Sequence, residues 1–308
     1  MKRRAFAFML LATSCGTDGV ADSSSSSSST GTGGAGGAAT VLTVNGRSTE
    51  VHLPPGYDGK TPAPLLVMLH GYSVTAYLEE LYLALQGPAN DRGMIYVAPD
   101  GTPDQQGRQF WNATDACCNF YGSTVDDSGW LTALIDAISA KYNVDPKRVY
   151  LFGHSNGGFM AYRMACEHAD RIAAIGSLAG AMWLDPTVCK PSAPVSVLQS
   201  HGTEDPEILY AGAPDGTGGA GPYPSAKQTV LDWAALDGCA PTPVNAPAQD
   251  FVPTIAGAET AIEDYAQGCQ KGTAVTLWSI QGGAHIPDVG DAYRKAVLDF
   301  LLAHPKQD

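Results

Sequence analysis

Charged residues are scarce in this sequence, at 16%, and basic ones scarcer still, with 18 lysines and arginines against 31 aspartates and glutamates. The formal charge of −13 opposes binding to nucleic acid or anionic lipid, which excludes polyanions as partners. Long hydrophobic runs are lacking too. The N-terminal one covers only residues 5–12, too short for a permanent bilayer span. No amphipathic stretch has the form of a lid helix, internal repeats are absent, and low complexity is confined to the start of the chain.

What is present suffices for a sizeable core: 308 residues, 44% hydrophobic and 8% aromatic. Lys2, Arg3 and Arg4 ahead of the short apolar run predict an export signal over residues 1–14. Leu11, Ala12, Thr13 and Ser14 before Cys15 give it the form of a lipoprotein signal whose cysteine is acylated. Residues 16–39 are nearly all Gly, Ser, Ala and Thr, which bury too little apolar area to offset ordering entropy, and read as a flexible linker to a domain over 40–308. A secreted, cell-surface or periplasmic protein follows, touching membrane only through its N-terminal anchor. Six further cysteines in an exported chain favour disulfides over metal or redox chemistry. Our choice of pairing is Cys166 with Cys189 and Cys239 with Cys269, which leaves the neighbours Cys117 and Cys118 to each other.

From about residue 40, β-rich apolar runs alternate with helical patterns. This predicts an α/β fold with a mostly parallel sheet of about eight strands flanked by helices and no large lid domain. Strands are expected at 39–44, 48–54, 64–70, 93–99, 148–154, 172–180, 194–201 and 273–280, and helices near 77–92, 126–142, 156–168, 225–237 and 289–303. Pro146 and its DPKR turn are expected to end the second helix and launch the next strand. The polar stretches 101–123 and 205–224 are long for plain connectors, which points to functional loops, and 238–270 reads as irregular.

Gly153-His154-Ser155-Asn156-Gly157 fits G-x-S-x-G, a weak signal alone in a chain with 35 glycines. Context strengthens it. A buried strand precedes the motif and a helical pattern follows, the arrangement that presents a serine hydroxyl at a sheet edge. Such a hydroxyl needs a histidine base and a group to orient that base. On this kind of elbow the partners follow in the order serine, acid, histidine. Of the histidines after Ser155, His285 lies in a loop directly after the last expected strand and is the candidate base. His201 ends the preceding strand and structures the acid loop, while His168 and His304 read as solvated surface. Asp205 is the candidate acid, with Glu204 its rival. Backbone N–H groups of Asn156, at the helix start, and Tyr72, after the His70-Gly71 turn, are the candidate oxyanion donors. Being backbone groups, they are expected to survive replacement of either side chain.

These residues resemble the secreted α/β-hydrolase esterases that include polyhydroxybutyrate depolymerases, feruloyl esterases and acetylxylan esterases. The likeness covers about residues 40–303, carried by LVMLHGY, WNA with CC and VDDSGWL, DPKRVYLFGHSNGGFMAYRMACEHADRIAAIGSLAGA, HGTEDPEILY and WSIQGGAHIP. It implies Ser155, Asp205 and His285 as a catalytic triad, in agreement with the residue-level reading. The family usually has Gly-Gly-Gly-His and an aromatic where this chain has Gly282-Gly283-Ala284-His285-Ile286, and valine-proline where Glu207-Ile208-Leu209 stands, differences that bear on substrate preference. The expected reaction is two-step acyl transfer from an ester, polymeric esters such as polyesters or cell-wall polysaccharide esters included, with no metal or cofactor required. Trp111, Tyr121 and Trp183 are candidates to line the cleft, since aromatics stack on a phenolic ring, a sugar or a polyester chain. An acyltransferase would keep every residue named here and differ by excluding water. A non-catalytic binding module would need the triad broken. The oligomeric state is left open.

Overall fold

In the computed structural model, which describes residues 39–217 and 221–307, the chain enters as an antiparallel hairpin, β1 (Ala39–Val44) and β2 (Arg47–His52). It continues through β3 (Ala63–Leu69), α1 (Ala76–Leu83), α2 (Gln86–Asp91) and β4 (Ile95–Val97). Two short strands, β5 (Thr102–Pro103) and β6 (Gln109–Phe110), pair with each other before α3 (Asp127–Lys141). Then come β7 (Val144–His154), α4 (Asn156–Glu167), β8 (Ala174–Leu178) and β9 (Ser196–Gly202). The chain closes with α5 (Ala226–Leu236), β10 (Val244–Gln249), β11 (Thr260–Tyr265), β12 (Val275–Ile280) and α6 (Asp291–Ala303). The expected signal, Cys15 and nearly all of the 16–39 linker lie outside the described residues; Ala39 already pairs with His52 in β1.

Ten strands form one sheet in the order β1-β2-β4-β3-β7-β8-β9-β12-β11-β10. The middle six, β4 to β12 in that order, are parallel. The outer pairs are antiparallel. Sequence explains the division. β3, β8, β9 and β12 are buried along their whole length, as strands covered on both faces must be. Alternation along β3 sends Leu65, Val67 and Leu69 to the face covered by α3, α4 and α5, and Leu66 and Met68 to the face covered by α2 and α6. Each face thus holds its own apolar core, and the carboxyl ends of the parallel strands are left for loops.

The architecture is an α/β-hydrolase fold, with three corrections to the expected elements. The helix expected over 77–92 is two, because the chain turns left-handed at Ala84 (φ 49°, ψ 46°). Pro88 has no N–H to continue a helical ladder back to Ala84. The strand after α3 starts at Val144, so Asp145 to Arg148 lie inside β7, at an irregularity in its register with β3, instead of forming a turn ahead of it. The segment read as irregular supplies β10 and β11, which extend the sheet beyond eight strands. Its strand residues are exposed or only half-buried in β10, so they lack the apolar run by which a strand is read.

Candidate active site

β7 ends at His154 and α4 starts at Asn156, leaving Ser155 alone at the turn with φ 53° and ψ −122°, a backbone geometry rare for a residue with a side chain. Its N–H donates to Leu178 O (2.8 Å), which holds the turn against the end of β8. Close packing dictates both glycines of the motif. A Cβ at Gly153 would lie 2.1 Å from Gly157 O, and one at Gly157 2.1 Å from Leu69 O. The serine hydroxyl is thereby fixed at the carboxyl edge of the sheet.

Two loops bring partners to it. The hydroxyl donates to His285 Nε2 at 3.0 Å, and His285 Nδ1–H donates to Asp205 Oδ2 at 2.8 Å. Asp205 follows β9 and is fully enclosed; its Oδ1 accepts from the N–H groups of Glu207 (2.8 Å) and Ile208 (2.9 Å). Burial alone would raise its carboxyl, but hydrogen bonds from His201, His285 and the Glu207 N–H outweigh it and hold the carboxyl well below the usual carboxylate range. His201 Nε2–H donates to Ile208 O (2.7 Å) and stands 3.3 Å from Asp205 Oδ2, so it shapes the acid loop. Glu204 is exposed. His168 is half-buried beside Ser128 Oγ (2.9 Å) and His304 Nδ1 meets Phe300 O (2.7 Å), both remote from this cluster in bonding.

Neither the Tyr72 nor the Asn156 backbone N–H donates to an acceptor among the described residues. The Tyr72 turn is braced on two sides. His70 Nδ1–H donates to Gly71 O (2.7 Å) while its Nε2 accepts from the Gly101 N–H (2.8 Å), and the Tyr72 hydroxyl donates to Asp104 Oδ2 (2.7 Å). The Asn156 side chain is wholly buried and has a structural task of its own, apart from the backbone N–H. Its Oδ1 accepts from the Trp111 N–H (2.7 Å) and its Nδ2–H donates to Trp111 O (3.0 Å), tying α4 to the loop that carries Cys117 and Cys118.

A cleft of about 600 Å³ opens over Ser155 and His285, walled by Val74, Leu78, Phe120, Ile208 and Ile286, with Cys117 and Cys118 on the same wall. Both long loops expected to be functional reach it. The aromatic candidates do not line it. Trp111 is fully buried beneath the loop, its indole N–H donating to His70 O (3.1 Å), so it supports the floor. Tyr121 lines a neighbouring hollow of about 340 Å³ and accepts from Arg108 through its hydroxyl (3.0 Å). Trp183 packs half-buried against the core under α3 to α5. The aromatic rings on the cleft are Phe120, Tyr72 and Tyr82, which sequence reading did not single out as substrate contacts. Disulfides join Cys166 to Cys189, Cys239 to Cys269 and Cys117 to Cys118. Among the described residues no cluster of three or more His, Cys, Asp or Glu side chains is arranged to hold a metal ion.

A family model described as "Putative esterase" matches residues 44–215. Feruloyl esterase B of Piromyces equi is 32% identical over 262 residues, an alignment covering 83% of this chain and 46% of that protein. The bifunctional acetylxylan esterase/xylanase XynS20E of Neocallimastix patriciarum is 29% identical over 168 residues, covering 54% of this chain and 22% of that protein. The chain thus spans about half the length, or less, of these two relatives. Among solved structures, the acetyl xylan esterase from Aspergillus awamori superposes with a TM-score of 0.60 over 86% of this chain and 100% of that one, at 15% identity, a likeness of fold.

Proposed function

This chain belongs to the esterase family, and from that premise we propose that it is a serine carboxylic-ester hydrolase acting on esters with a bulky apolar or aromatic acyl group, feruloyl esters foremost. The observation that carries the chemistry is the relay of 3.0 Å from Ser155 Oγ to His285 Nε2 and 2.8 Å from His285 Nδ1 to Asp205 Oδ2, at a serine whose hydroxyl borders an open cleft. Ser155 Oγ attacks the ester carbonyl carbon as its proton passes to His285 Nε2, and Asp205 keeps the imidazolium oriented. The oxyanion that forms accepts from the N–H groups of Tyr72 and Asn156, each such donor worth roughly 10²- to 10³-fold in rate. His285 returns the proton to the departing alkoxide, leaving an acyl-enzyme. Water then attacks with His285 as base, and Ser155 is regenerated as the acid leaves.

The substrate class rests on the cleft and on kinship. A space of about 600 Å³ walled by Leu78, Phe120, Ile208 and Ile286 exceeds what an acetyl group fills and suits an aromatic acid or a hydroxyalkanoate chain. The relative named for feruloyl esters favours the aromatic acid among these. Export, lipidation at Cys15 and a linker from residue 16 that ends before β1 begins at Ala39 complete the proposal and rest on the sequence alone. The test is a side-by-side assay on methyl ferulate, acetylated xylan and a hydroxybutyrate oligomer, with products analysed in added alcohol to detect acyl transfer. Turnover of acetylated xylan alone would overturn the substrate class, and undiminished turnover by folded Ser155→Ala would overturn the mechanism.

A further inference from the structure

At the base of the cleft, among the residues that line it, two charged side chains that take no part in the steps above face each other. Glu79 of α1 and His154 of β7 are both buried, with His154 Nδ1 3.0 Å from Glu79 Oε1. The other carboxylate oxygen, Oε2, accepts from the Gly71 N–H at 2.8 Å. The other ring nitrogen, Nε2, lies 3.0 Å from the carbonyl oxygen of His285. A carbonyl accepts only, so Nε2 carries a hydrogen, and a second proton sits between Nδ1 and the carboxylate. Burial lowers the His154 ring, but Glu79 and the His285 carbonyl raise it further than burial lowers it, while Glu79 is held below its ordinary range, so the two stand as imidazolium and carboxylate.

A buried ion pair is a poor way to add stability, since desolvating two charges costs about as much as their attraction returns. Its position suggests another use. Gly71 precedes Tyr72, one oxyanion donor; His154 precedes Ser155 and Asn156, the nucleophile and the other donor; and the carbonyl held by His154 belongs to the base itself. The ends of β3, β7 and β12 therefore meet on one pair of side chains. The turn abuts all three groups: a Cβ at Gly71 would make ordinary van der Waals contact with Ser155 Cβ (3.4 Å) and with both Glu79 Oε2 and His154 Nδ1 (3.5 Å). Tyr82, whose ring stands 5.5 Å from that of His154, adds a hydrogen bond to Pro287 O (2.8 Å) in the same base loop.

We propose that Glu79 and His154 are a positioning pair for ester hydrolysis, setting the oxyanion turn at Gly71-Tyr72 and the base loop at His285 in register with Ser155. The proposal rests on the serine-esterase reading of the same site. Its test uses the full chain with Glu79→Ala, Glu79→Gln and Ser155→Ala. Glutamine can keep the contacts, its carbonyl oxygen accepting from Gly71 and its amide donating to a neutral His154 that still donates to His285 O. Glu79→Ala loses them. A misplacement of about 1 Å costs on the order of 10²-fold in rate. The expected result is therefore a kcat about 10²-fold lower in Glu79→Ala with KM nearly unchanged. Binding of a boronic acid transition-state analogue should weaken in parallel, and Glu79→Gln should recover most of both. If Glu79→Ala does not fold, the double variant Glu79→Leu with His154→Phe removes both polar groups, leaves no buried charge, and should show the same loss of kcat and of analogue binding. A folded Glu79→Ala or double variant with kcat within about twofold of wild type overturns the proposal, as does unchanged analogue binding or a Glu79→Gln no better than Glu79→Ala. Full activity in Ser155→Ala would instead overturn the esterase reading beneath it.

Discussion

Replacing Asn156 with alanine separates what its backbone does from what its side chain does. The backbone N–H remains in place as an oxyanion donor. The side chain is another matter, since Trp111 N–H (2.7 Å) and Trp111 O (3.0 Å) both depend on it in a site closed to water. An orphaned buried N–H costs about 1–3 kcal/mol, and a carbonyl that loses one of its partners somewhat less. The sum is roughly 2–4 kcal/mol, which at this domain size lowers the melting temperature by on the order of 10 °C. The loop carrying Cys117 and Cys118 loosens with it, so KM should rise, while kcat should fall by less than about tenfold because neither oxyanion donor is lost. Thermal and guanidinium unfolding beside p-nitrophenyl acetate kinetics measure both quantities. A melting temperature within about 2 °C of wild type would refute the reasoning. A hundredfold loss of kcat in a stably folded variant would do the same.

Asp205→Asn should keep the fold, since its oxygen still accepts from the Glu207 and Ile208 N–H groups, but lose about 10³- to 10⁴-fold in kcat because His285 is no longer held in its working tautomer; a loss under tenfold on p-nitrophenyl acetate contradicts this. Burial pushes the Asp237 carboxyl up to about 7, against hydrogen bonds from the Val195 N–H and Thr273 and the charge of Lys306. The folded state therefore binds a proton that the unfolded chain releases near pH 4, so this group withdraws stability as pH rises from about 4 to about 7. Urea midpoints of Asp237→Asn should gain on wild type across that window, and a constant difference would count against it. Phe120→Ala should raise KM for methyl ferulate by roughly tenfold, the loss of one partly exposed aromatic contact, and leave p-nitrophenyl acetate nearly unaffected; equal effects on both would remove Phe120 from the acyl site.

Residues whose place is set by local sequence were the most legible. Ser155 sits between a buried strand and a helix and is flanked by glycines that the packing requires, while Asp205 and His285 follow strands whose apolar runs are unmistakable, so the structure brings together three side chains that sequence order alone had nominated. The outer hairpin of β10 and β11 was not legible. An edge strand such as Val244–Gln249 buries almost nothing and so carries no apolar signature. Trp111 was a candidate for the cleft because it stands in a polar loop, whereas the contacts that bury it come from Asn156 and His70, distant in sequence. Glu79 went unnoticed for a similar reason. It is one carboxylate among 31 acidic residues, on a short helix, and only the folded sheet edge sets it against His154. The Leu78 and Phe120 walls of the cleft likewise come from segments with no motif, so sequence identified the chemistry better than it identified the substrate surface.

Acyl transfer through Ser155 requires that the acyl group be held on that residue. Brief reaction with a p-nitrophenyl ester, acid quench and peptide mapping by mass spectrometry should find one acyl adduct, on the peptide containing Ser155. Folded Ser155→Ala should carry no adduct and have lost turnover by several orders of magnitude. An adduct on another residue, or undiminished hydrolysis by Ser155→Ala, would contradict the account.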